Sequence, residues 1–164
     1  MTGVQTCALP ISSREDAPVI LFFIRQLAEY ERLLDAVTTT EDEIAENLFG
    51  ANASTEVLLG CFEEQPVAFA VYFHNFSTFL GKRGLYLEDL FVLPAMRGRG
   101  FGKAMLKRLA EIAVERNCGR LEWAVLDWNA SAIGFYKKLG AVPMDEWTTF
   151  RVEGEALKRL AETF

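Results

Sequence analysis

Residues 93–103 read Leu93-Pro94-Ala95-Met96-Arg97-Gly98-Arg99-Gly100-Phe101-Gly102-Lys103. Three glycines at alternate positions lie among two arginines and a lysine, between an apolar run and a helical pattern. Free amides at a helix start, together with the positive end of its dipole, make an anion site. Glycine lets the backbone come close to phosphate oxygens. The loop is too short for a P-loop, and no Lys-Ser/Thr pair closes it. No acidic residue ends the following strand as a dinucleotide-binding fold requires. Spacing alone also allows a plain glycine-rich connection with two solvated arginines. Just upstream, Glu88 and Asp89 stand together inside the otherwise apolar run Leu85–Leu93. An uncompensated carboxylate there is costly, and a paired carboxylate raises its neighbour's pKa. The pair marks a strand bulge, binds backbone amides, or serves as a proton acceptor.

The elements that would position these groups follow from periodicity. Ser13 caps a helix expected over Asp16–Ala36, with Ile20, Phe23, Ile24, Leu27, Tyr30 and Leu34 on one face. Thr40 and Glu43 form a capping box for a short helix to Phe49, closed by Gly50. Glu56–Phe62 and Val67–Phe76 read as strands joined by the turn Glu63-Glu64-Gln65-Pro66. A loop covers Ser77–Gly84. Leu85–Leu93 is a strand apolar on both faces, as a covered sheet requires. The helix Phe101–Arg116 buries Met105, Leu109, Ile112 and Ala113, and Asn117-Cys118-Gly119 stops it. Strand Leu121–Leu126, helix Ala130–Leu139 capped by Asn129 and ended by Gly140, strand Trp147–Val152 and helix Gly154–Thr163 complete the order ααβββαβαβα. This is an α/β domain over residues 12–164, without internal repeat or linker. Residues 1–11, MTGVQTCALPI, are uncharged and show neither period. They resemble a translated adapter sequence joined to a gene fragment, and we expect them to be non-native; an ordinary flexible terminus is the other reading.

Composition narrows the partners. With 164 residues, 51 % hydrophobic and 24 % charged, the chain is long and apolar enough to bury one core. Seventeen Lys and Arg against 23 Asp and Glu leave a net charge of −6, which argues against nucleic acid. An acidic field favours small cations, weakly. No apolar run reaches the roughly 18 residues a membrane helix needs. Cys7, Cys61 and Cys118 are widely spaced, and His74 is the only histidine. Neither a disulfide framework nor a structural zinc site is expected, which fits a reducing cytoplasm. His74, alternating along a strand, reads as structural, and the cysteines as core or loop thiols.

The loop also carries a resemblance. Arg97, Gly100 and Gly102 match the fixed positions of the Arg/Gln-x-x-Gly-x-Gly/Ala pattern with which the GNAT superfamily of N-acetyltransferases holds the pyrophosphate of acetyl-CoA. Leu85-Tyr86-Leu87-Glu88-Asp89-Leu90-Phe91-Val92, Trp128-Asn129, Phe135-Tyr136-Lys137 and Leu27-Ala28-Glu29-Tyr30-Glu31 resemble stretches of its diamine (spermidine/spermine) and thialysine acetyltransferases. The similarity runs over about residues 13–160. It implies a mixed central sheet with helices on both faces, whose first strand would precede Ser13, where the adapter-like segment stands. The stretch between Gly140 and Trp147 is shorter than in the animal enzymes, which affects the far end of an amine pocket.

The resemblance further implies attack of an amine on the acetyl-CoA thioester. An aliphatic ammonium has a pKa of about 10.4 and must lose a proton. Glu88 would be the base, directly or through water. Tyr136 would be the acid that protonates the leaving thiolate; without the resemblance it reads as a core aromatic beside Phe135. A backbone N–H near Val92 would stabilise the oxyanion. Leu90, Phe91 and Val92 would pair with the pantetheine arm like an added strand. Arg97, Gly98, Arg99, Gly100, Phe101, Gly102 and Lys103 would cradle the pyrophosphate. Asn129 would bind the arm or simply cap its helix, and Phe135 would line the sulfur end. Tyr30, Glu31, Glu88 and Asp145 would face a polyamine, diamine or lysine analogue. No metal is implied. Branch relatives are commonly dimers, so the resemblance allows a homodimer without requiring one. The rivals are a protein or peptide N-acetyltransferase, which needs an open groove, and a non-catalytic acyl-CoA sensor, which needs neither Tyr136 nor Glu88.

Overall fold

The computed structural model describes residues 12–163; the expected non-native segment 1–11 and the family's first strand lie outside the described residues. The chain divides into two compact units, one up to Ala124 and one from Val125 onward. The first holds α1 (Ala17–Tyr30), α2 (Glu41–Phe49), β1 (Thr55–Phe62), β2 (Gln65–Ser77), β3 (Lys82–Val92), α3 (Phe101–Glu115) and β4 (Leu121–Trp123). The second holds α4 (Ala130–Lys138) and α5 (Gly154–Glu162).

The α/β class and mixed sheet hold. The strand order is β1-β2-β3-β4, with β1-β2 and β2-β3 antiparallel and β3-β4 parallel. Side chains alternate across the strands, so each strand faces two helical layers. On one face, α1 and α2 bury Ile20, Leu21, Phe23, Ile44 and Ala45 against Val57, Phe69, Val71 and Phe91. The Phe23 and Phe69 rings stack with centroids 5.2 Å apart. On the other face, α3 packs on β1, β2 and β3, with Met105 and Leu109 buried as expected. Gly60 permits this approach: a Cβ there would meet Met105 Sδ at 3.0 Å. At the far end of α3, Arg116 makes a bidentate pair with Glu56 of β1, and the Tyr72 hydroxyl donates to the same carboxylate at 3.3 Å.

Several boundaries differ from the sequence reading. The first helix does not reach Ala36. It stops at Tyr30 because Arg32 takes a left-handed φ of 61° and the Leu33 N–H bonds back to Ala28 O at 2.7 Å. This turn closes a helix end without glycine. Leu34–Ala36 is a separate 3-10 turn, and Leu34 is exposed. The expected loop 77–84 shortens to a turn over 78–81, since Ser77 pairs with Lys82. The β1–β2 turn is tighter than expected: Glu63 and Glu64 take positive φ, and Gln65 and Pro66 already pair. The fourth strand ends at Trp123, short of Leu126.

In the second unit, Asn129 Oδ1 accepts the Ala132 N–H at 3.2 Å, the expected cap of α4, and Gly140 follows its end at φ 89°. The expected strand Trp147–Val152 is absent. A strand exists through its ladder partner, and this unit contains no strand among its described residues; Trp147 and Phe150 remain exposed.

Candidate active site

The organising feature is a register break in the β2–β3 ladder. Val71 pairs with Asp89 but the next residue, Tyr72, pairs with Leu87. Glu88 is therefore the extra residue of a β-bulge, and it is exposed. Such a bulge bends its strand and re-aims side chains. Beyond it, Asp89 lies on the α1 face with Val71 and Phe91.

The bulge also marks where β3 loses its second neighbour. β4 pairs only with Leu85, Tyr86 and Leu87. Leu93 N–H bonds to Val67 O at 2.9 Å. In an antiparallel ladder the bonds alternate, so Asp89 and Phe91 also turn their backbone groups toward β2. Leu90 and Val92 turn theirs to the other, open edge. One of these is in use: Arg97 Nε donates to Val92 O at 3.0 Å.

Around this edge stand the groups singled out in the sequence. Tyr30, at the end of α1, lies with its ring centroid 6.3 Å from that of Phe91. The Arg97 guanidinium covers both rings, 4.5 Å from the Tyr30 centroid and 5.1 Å from that of Phe91. Burial pushes the Asp89 carboxyl up to about 6, helped by the negative charges of Glu88 and Glu31. Burial also raises Glu31. Three carboxylates thus crowd one end of the sheet, and among the described residues none of them forms a salt bridge, in contrast to Glu56, which Arg116 holds below the ordinary carboxylate range. The sequence reading weighted Glu88 over Asp89; the adjacent carboxylates signalled a bulge, but which one turns inward depends on the register with β2.

The glycine loop leads from this edge into α3. Gly98 and Gly100 have φ of 74° and 91°, a region that favours glycine. A Cβ on Gly98 would meet nothing within 4 Å, so this side of the loop is open. No side chain caps α3 and no acidic residue stands in its first turn. The amides of Phe101, Gly102 and Lys103 thus face outward at the positive end of the helix. Arg99 lies over Phe62, 4.6 Å from its ring centroid. Outward amides beside two arginines and a lysine are chemically suited to an anion.

In the second unit, Phe135 and Tyr136 are neighbours on α4 with ring centroids 5.5 Å apart, both half-buried. Asn129 caps that helix, and Asp145 is exposed in the irregular stretch after it. His74 lies on β2 two residues past Tyr72, where the register shifts, and pairs with Leu85. Among the described residues no group of three or more His, Cys, Asp or Glu could hold a metal ion. Among the described residues no helix is long and apolar enough to cross a membrane.

Residues 22–141 match the acetyltransferase (GNAT) family. The chain belongs to this family. It is an N-acetyltransferase, and the family's acetyl donor is acetyl-CoA. Thialysine N-epsilon-acetyltransferase of Sus scrofa is 40% identical over 157 residues, covering 89% of this chain and 92% of the relative. An L-ornithine N5-acetyltransferase of Arabidopsis thaliana is 29% identical, covering 92% and 86%. Among solved structures, an integron cassette protein from the mobile metagenome of V. cholerae superposes with a TM-score of 0.78 at 28% identity, covering 93% of this chain and 95% of that one. The open β3 edge and the glycine loop fit the two ends of the GNAT donor: an amide-containing arm that can pair like a strand, and a diphosphate.

Proposed function

We propose that this N-acetyltransferase moves the acetyl group of acetyl-CoA to a primary amine of a small cationic substrate, a polyamine, diamine or lysine analogue. The observation that carries this reading is the crowding of Glu31, Glu88 and Asp89 beside the open edge of β3. A site for a cation needs excess negative charge that the protein leaves uncompensated. The names of the relatives, which act on thialysine and on L-ornithine, support the same class.

Bound acetyl-CoA supplies an activated thioester. Leu90 and Val92 hold its arm along the strand edge, whereas Phe91, expected to join them, turns its backbone to β2 and its ring into the core; Gly98 through Lys103 hold the diphosphate. Glu31 and Asp89 attract the ammonium beside Tyr30, and the family resemblance assigns Asp145 to the same substrate. The Glu88–Asp89 pair takes a proton from the ammonium, directly or through water, which frees the nitrogen lone pair. The nitrogen then bonds to the acetyl carbon while the carbon–sulfur bond breaks. The Val92 N–H offers a donor to the carbonyl oxygen, and the family resemblance assigns Tyr136 to return a proton to the departing sulfur. The same resemblance assigns Asn129 to the arm and Phe135 to the sulfur end.

Thiol release from acetyl-CoA, measured in parallel with spermidine, putrescine, thialysine, ornithine and a lysine peptide, tests this. Fastest release with a small amine is expected. Turnover of the peptide alone would make this a protein acetyltransferase. Tight donor binding without any turnover would make it an acyl-CoA sensor.

A further inference from the structure

Arg97 occupies three things at once. Its Nε fills the acceptor of Val92, whose carbonyl points to the open edge of β3. Its guanidinium covers the Tyr30 ring, and it covers Phe91 as well. Yet its backbone stands one residue before Gly98, at the mouth of the anion cradle. Resting on the proposed function, these placements conflict: a donor arm added along β3 needs the Val92 carbonyl, and an amine packed on Tyr30 needs the ring face that the guanidinium covers.

We propose that Arg97 is a latch that the diphosphate of the donor opens. In the position described, Arg97 closes the arm site and the Tyr30 face together. A diphosphate in the glycine loop offers the guanidinium two charged acceptors in a matched fork, a stronger partner than one neutral carbonyl and a ring face. The side chain moves to the loop, and the same movement frees Val92 O for the arm and Tyr30 for the substrate. The diphosphate therefore contributes twice, once through its own contacts and once by removing a competitor. A closed latch lowers the affinity of any ligand needing the open state by the fraction of chains already open.

The test separates the two ends of the donor. Acetyl-pantetheine carries the thioester arm and no diphosphate, so it cannot draw Arg97 away. Calorimetric Kd values for acetyl-pantetheine and acetyl-CoA are compared in wild type, Arg97→Ala and Arg97→Lys, with thermal unfolding as a control for folding. The expected result is opposite signs. Arg97→Ala binds acetyl-pantetheine roughly three- to tenfold tighter, equivalent to a latch open in about a third to a tenth of wild-type chains, and binds acetyl-CoA more weakly. Arg97→Lys, which keeps the charge but loses the planar stack, tightens the short donor and loses less acetyl-CoA affinity. If wild type binds acetyl-CoA but Arg97→Ala leaves the short donor unchanged or weaker, the latch is overturned and the acetyl-transfer reading stands. If wild type binds no acetyl-CoA, both are overturned.

Discussion

Asp89 sits opposite Val71 in the β2–β3 ladder, a carboxylic acid paired across a sheet with a buried aliphatic residue. The bulge at Glu88 puts it there, and burial with two neighbouring carboxylates raises it to about 6. If the charged form serves the amine, kcat/KM should rise with pH through a midpoint near 6 and then level. Glu88→Gln removes a negative charge that favours protonated Asp89, so the midpoint should move to lower pH. Asp89→Asn should abolish the limb. Thiol-release kinetics across about pH 5 to 9 measure this; a limb unmoved in both variants belongs to another group.

The same placement costs stability. The folded-state pKa of Asp89 lies above its unfolded value of 3.8, so the folded chain binds the proton more tightly. Stability therefore falls as pH rises from the unfolded value through about 6. Asp89→Asn should raise Tm at about pH 8, and the gain should shrink toward about pH 4. A destabilised variant at the higher pH would mean that the charged carboxylate has a compensating partner.

Gly100 opens α3 at φ 91°. Gly100→Val forces a branched side chain into a left-handed conformation and turns the loop amides away. The acetyl-CoA Kd should rise about tenfold or more, on the scale of a lost charge-assisted contact. Titration calorimetry reads it, and unchanged affinity would place the diphosphate elsewhere.

Tyr136→Phe removes one hydroxyl from a half-buried residue of α4. As the proton donor to the leaving thiolate, Tyr136 should account for about ten- to a thousandfold in kcat, with acetyl-CoA affinity nearly intact. Turnover at the wild-type rate would remove it from that role.

Away from the site, Glu56 accepts from Arg116 and from Tyr72. Glu56→Gln should lower stability by about 1–2 kcal/mol in urea unfolding at neutral pH. The Arg116 hydrogen bond holds the Glu56 pKa below its ordinary 4.5. Its contribution is therefore full above about pH 4.5 and is lost as pH falls through the lower folded value, where wild type and variant should converge.

Local chemistry was legible in the amino-acid order. Thr40 and Glu43 make their reciprocal cap, with Glu43 N–H to Thr40 Oγ1 at 3.2 Å and Thr40 N–H to Glu43 Oε2 at 2.9 Å. Asn129 caps α4, and the glycine loop falls between β3 and α3. These features depend on neighbours within a few residues, so short-range order carries them. The periodicity of Met105, Leu109, Ile112 and Ala113 likewise named the buried stripe of α3.

Other features depended on partners distant in the chain. The apolar period from Ile20 ran through Leu34, but a left-handed Arg32 ended the helix at Tyr30 and placed that ring near Phe91. Glu88 and Asp89 looked alike until the register with Val71 and Tyr72 turned one out and the other in. Trp147–Val152 has the composition of a strand but no strand beside it in its own unit. Spacing along a chain reports which groups are available. Pairing across a sheet settles which way they point, because a single inserted residue reverses the alternation that local sequence assumes.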